Sequence, residues 1–150
     1  MNMDNKEKQI LVTAISMILI LGCYTLYVYS NYIAENLAII NDTKFWAKAF
    51  LILIPVTIVS QIVIHIVFAI INKIVTNEDM STLSDERDKL IDLKAIRISH
   101  WIFTMGFLLS MVSQVIGMQP WVMFVILVSS GFIAALASEI TKFYLYRKGF

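Results

Sequence analysis

The stretch "DERDKLIDLKAIRISHW", residues 85–101, holds nine charged or histidine residues among seventeen. It then enters the apolar run 102–116 with no Gly or Pro before Gly106. Read alone it is a polar helix. Read together with residues 102–116, it is the first part of a longer helix whose second part lies in lipid. Ser84 is suited to cap that helix, and Asp85 and Glu86 fall in the first turn, where the helix dipole favours acids. From residue 85 to 116 such a helix spans roughly 48 Å at 1.5 Å per residue, of which a membrane crossing uses about two-thirds. The remainder, about 85–94, projects beyond the hydrocarbon or bends along the headgroups.

The rest of the chain supports the lipid reading. Hydrophobic residues make up 59% of the 150, only 15% are charged, and mean hydropathy is +0.76. Soluble domains carry about 25% charge. Segments 10–32, 49–72 and 121–138 contain no Asp, Glu, Lys or Arg, and 98–118 contains one ionisable group, His100. Each has about the length of a transmembrane helix, and no strand-like alternation competes. The sequence therefore predicts an all-α integral membrane four-helix bundle in one domain. Its helices are expected at about 9–32, 46–73, 96–117 and 120–146, with a loop and helical extension at 74–95. The first apolar run exceeds the roughly 7–15 residues of a signal-peptide core. Cys23, the only cysteine, allows no intramolecular disulfide and reads as a packing residue.

Basic residues set the orientation. With four crossings, both termini and the middle connection share a side, and that side holds ten of the twelve Lys and Arg; Lys44 and Lys48 are the others. The positive-inside rule places that side in the cytoplasm, in a cell inner membrane. Tyr24, Tyr27, Tyr29, Tyr32, Trp46 and Trp121 fall near the outer interface, and Trp101, Tyr144 and Tyr146 near the inner one. The outer connections are too short for an extracellular binding domain.

On a helical projection Asp88, Asp92, Ala95 and Ser99 share an acidic-to-small face, and Glu86, Leu90, Leu93, Arg97 and His100 share another. Asp85 and Lys89 form an acid-first i,i+4 pair. Two readings of this helix stand side by side: a solvated extension that sets topology, or a docking surface. On the docking reading Asp85, Glu86, Arg87, Asp88, Asp92, Lys94, Arg97 and His100 are the partner-binding residues, and Arg97 and Trp101 anchor the helix near Glu139.

The residues Asp85-Glu86-Arg87-Asp88, Ile91, Lys94-Ala95, Arg97-Ile98 and His100 resemble a motif of a family of small four-helix prokaryotic integral membrane proteins. The resemblance covers the four-crossing layout and about sixteen residues in detail. It implies a regulatory or immunity-type protein, a companion of helix-turn-helix regulators or antimicrobial-peptide systems, and supplies no catalytic residues.

Polar groups within the apolar segments are the other candidates. Thr57, Gln61, His65 and Asn72 form one stripe, His100, Thr104, Met111 and Gln114 another, and Glu139 lies one turn before Lys142. Glu139 reads as half of a structural pair with Lys142 or Arg97. The alternative is a small transporter or channel-like homodimer using Gln61, His65 and Glu139. His65 and His100 also raise haem-mediated electron transfer, and with Glu139 a metal site; their unequal depths and wide spacing argue against both. No phosphate loop, Ser/His/Asp set or activated nucleophile is visible, so the reading is non-enzymatic, with no catalytic residue, metal or cofactor. The expected partners are the bilayer, a cytosolic regulator or membrane-active peptide, and a second copy, with no direct nucleic-acid contact. Gly106 and Ser110, and Ser130, Ala134 and Ser138, recur every four residues, which predicts close packing of the last two helices.

Overall fold

A computed structural model describes residues 5–76 and 86–149. Ser84, Asp85, the Asp85–Lys89 pair and the linker 77–82 lie outside the described residues. Within them every regular element is helical: α1 (Asn5–Val28), continued by a π-helical turn (Tyr29–Ile33), a 3₁₀ turn (Leu37–Asn41), α2 (Thr43–Thr76), α3 (Glu86–Val115) and α4 (Pro120–Lys148). Among the described residues, four helices are long and apolar enough to cross a membrane.

The connections follow local chemistry. The wide turn after α1 closes with the Ala34 N–H on the Tyr29 carbonyl, 2.9 Å. The Asn36 side chain accepts from the Ala38 N–H and the Asp42 side chain from the Lys44 N–H, so each caps the helix it precedes. The Trp46 indole N–H donates to the Ile40 carbonyl at 2.8 Å. Its ring stacks on Trp121, centroids 6.1 Å apart, and ties α2 to the start of α4. Gly117 ends α3 at φ 78°, with the Gly117 N–H on Gln114 and the Met118 N–H on Ser113. This double-bonded αL closure is the Schellman arrangement, and Pro120 then starts α4 at a position that needs no N–H.

Helix α4 is central: α1, α2 and α3 all approach it, while α3 makes its close backbone approach to α4 alone among the described residues. The buried residues of α3 are Asp88, Ile91, Ala95, Gly106, Ser110 and Ser113, and those of α4 are Ser130 and Ala134. Their spacing of three and four draws one seam along the helix. A Cβ on Gly106 would lie 2.0 Å from the Ser130 Cβ, so this crossing has no room for a side chain at position 106 opposite Ser130. Small residues give helices in lipid this approach. The outward surfaces of α2 and α3 are Leu, Ile, Val and Phe, exposed as a lipid-facing surface requires.

Candidate functional site

Polar groups gather at the end of the molecule that carries both chain termini. Three elements meet there: the first turn of α1, the first turns of α3 and the last turns of α4. Glu86 and Asp88 open α3, where the dipole favours acids. Asp88 is buried, 6% exposed. Its Oδ1 accepts from the Tyr146 hydroxyl at 2.7 Å, and its Oδ2 pairs with the Lys6 ammonium. The Arg87 guanidinium sits 5.9 Å over the Tyr146 ring and donates to the Tyr146 carbonyl at 3.4 Å. One turn deeper, Lys142 bridges Asp92 at 3.4 Å and Glu139 at 3.2 Å. A buried carboxylate is costly unless paired and hydrogen-bonded, and Asp88 has both.

This arrangement corrects one expectation. Asp88 does not share an outward acidic face with Asp92. The seam spacing that buries Ile91 and Ala95 also turns Asp88 inward, against α1 and α4. Asp92 remains exposed beside Lys142. Glu139 takes Lys142 as its partner, and Arg97 makes no ion pair or hydrogen bond among the described residues, so the expected Arg97–Glu139 anchor is absent there. Glu86, Arg87, Lys94, Arg97 and His100 are exposed. Leu90 and Leu93, 53% and 63% exposed, lie among these charges at the start of α3. The pairing of Lys6 and Tyr146 with Asp88 was invisible to sequence reasoning. They are 82 and 58 residues from Asp88, and no local pattern encodes such pairings.

A second polar layer joins α1 to α2 inside the apolar region. The Thr13 hydroxyl donates to the Gln9 carbonyl at 2.9 Å and lies 3.2 Å from His65 Nε2. The Nδ1 of His65 is buried without a partner, as is Gln61 Nε2. Ser16 bonds Gln61 Oε1 at 3.2 Å and the Thr13 carbonyl at 2.8 Å. Toward the opposite end, α1, α2 and α4 border an open apolar pocket of about 300 Å³, lined by Met17, Leu21, Leu53 and Phe132. Thr57 also faces it, with its hydroxyl turned back to the Leu53 carbonyl at 2.8 Å.

The remaining candidates stay local. Thr104 donates to the His100 carbonyl at 2.8 Å, and Gln114 to the neighbouring Ser113 hydroxyl at 3.3 Å. His65 sits on the α1–α2 contact and His100 on the exposed surface of α3, so the two histidines are not drawn to one site. No group of three His, Cys, Asp or Glu able to hold a metal ion occurs among the described residues. Compared with family models, curated proteins and solved structures, the chain matches none.

Proposed function

We propose that the chain is a small non-enzymatic protein of the cytoplasmic membrane that acts by binding, a regulatory or immunity-type component. Its partner is a cytosolic regulator or a membrane-active peptide. The carrying observation is the start of α3. Asp88 locks it to α1 and α4, while Leu90 and Leu93 stand exposed between Glu86, Lys89 and Lys94. An apolar pair in a charged surround, on a rigid element, suits recognition of another protein. Orientation rests on the distribution of Lys and Arg, ten of twelve on the termini side. After replacement of Cys23, an impermeant maleimide on intact cells should label Glu35→Cys and spare Lys148→Cys; the reverse pattern would overturn the topology.

A photoreactive side chain at position 93, with position 37 as control, tests the binding surface. The expected product is a protein adduct from position 93 only, lost when Leu90 and Lys89 are both replaced by Asp. Adducts to lipid alone from position 93 would refute the docking role.

A second reading has its own observation. The unpartnered Nδ1 of His65 and Nε2 of Gln61 lie within the membrane-crossing part, where an unmet polar atom suits a polar cargo or a proton. It makes the chain a small transporter or channel-like homodimer. Proton-linked flux in liposomes that His65→Ala abolishes would establish it, and no flux above empty liposomes would remove it.

A further inference from the structure

One flank of the α3–α4 seam is an open groove. Near the termini-side end it forms a hollow of about 480 Å³ between Arg97, Ile98, Ile140 and Tyr144, with Lys94 at its rim. Further along, a second hollow of about 380 Å³ lies over Trp101, Met105, Leu109 and Ile133. Residues 94, 97, 98, 101, 102, 105, 106 and 109 recur at three- and four-residue steps, so both hollows belong to one face of α3. Gly106 and Ser130 form part of the deeper floor.

We propose that this groove binds an anionic glycerophospholipid of the leaflet on the side of the chain termini. Charge and length argue for it. The cations stand at one end only: Lys94 and Arg97 line the shallow hollow, and Lys148 lies 5.8 Å from the centre of the Tyr144 ring beside it. Arg97 has no ion pair or hydrogen bond among the described residues. The neighbouring carboxylates Asp92 and Glu139 are held by Lys142, and neither lines the groove. A guanidinium can grip a phosphate through two parallel N–H bonds. The twelve-residue step from Arg97 to Leu109 rises about 18 Å, against roughly 15 Å for one leaflet's hydrocarbon. A headgroup at Arg97 thus places an acyl chain over Met105, Leu109 and Ile133. Basic pockets between membrane helices take anionic headgroups in this way. The inference depends on membrane insertion and is independent of the docking role of Leu90 and Leu93.

Native mass spectrometry of the full chain in neutral detergent, titrated with phosphatidylglycerol or phosphatidylcholine of equal chain length, tests it. The wild type should retain phosphatidylglycerol at least fivefold better, the effect of one surface cation at about 1 kcal/mol. Arg97→Gln should bring phosphatidylglycerol down to the phosphatidylcholine level with unchanged helicity and thermal midpoint, and Arg97→Lys should keep most of the preference. Ile133→Trp should weaken both lipids by filling the acyl path. Equal retention by the wild type, an unchanged preference in Arg97→Gln, or full displacement by inorganic phosphate would each overturn the proposal. So would a dimer that excludes phosphatidylglycerol.

Discussion

The α3–α4 seam and the α1–α2 contact both join consecutive membrane-length helices, by different means. Along α3 and α4, glycine and serine let the helices close until position 106 has no room for a side chain opposite Ser130, and the seam ends in a paired carboxylate. Between α1 and α2 the side chains are larger. The contact relies on Thr13–His65 and Ser16–Gln61, and an open apolar pocket lies along it. Dispersion contacts in a close seam are many and short-ranged, whereas single hydrogen bonds in lipid average about 0.6 kcal/mol. The first pair should therefore be rigid and intolerant of added volume, the second adjustable. Single substitutions on the two sides can break or narrow this contrast.

Gly106→Val should be the most damaging, costing about 3 kcal/mol or more in reversible unfolding from mixed micelles, because overpacking a closed seam forces the helices apart. The clash falls on the Ser130 side chain, while Ser130 Cα would be 3.4 Å from the new Cβ, an ordinary contact. Gly106→Ala should thus be destabilising alone and largely restored by adding Ser130→Gly. Failure of that rescue would mean that the two backbones do not meet at the Gly106–Ser130 distance.

Asp88→Ala comes next, at about 2 kcal/mol, since it strands Lys6 and the Tyr146 hydroxyl at the junction of three helices. Asp88→Asn keeps an acceptor for Tyr146 and should cost less. Thermal unfolding in detergent ranks the two.

On the α1–α2 side, Thr13→Val should cost only about 0.6 kcal/mol, a fraction of the Gly106 effect. A loss above about 2 kcal/mol, more than a hydrogen bond in lipid supplies, would show that the polar layer, rather than the small-residue seam, dominates. Smallest of all, Arg97→Ala should change stability by less than about 0.5 kcal/mol in lipid-free detergent, as an exposed side chain with no described bond.

The four apolar helices were legible in the sequence because hydrophobic length and low charge are properties of contiguous residues. The α3–α4 contact was legible for a similar reason: Gly106, Ser110, Ser130 and Ala134 carry their spacing with them. The direction of Asp88 was not. Helical projection groups it with Asp92, four residues on, but which edge of that face turns inward depends on the tilt of α3 against α4 and on Lys6 and Tyr146. The Glu139–Lys142 pair, three residues apart, was foreseeable; the Asp92–Lys142 bridge between helices was not.

The central claim is that the charged start of α3 is a fixed part of the membrane structure, held by Asp88. Hydrogen exchange of the backbone amides from Leu90 to Ile96, in the full chain in micelles, addresses it most directly. Strong protection is expected in the wild type and a marked loss in Asp88→Ala, with the amides of Phe107 to Met111 still protected. Exchange of Leu90 to Ile96 at free-peptide rates in the wild type would contradict the claim.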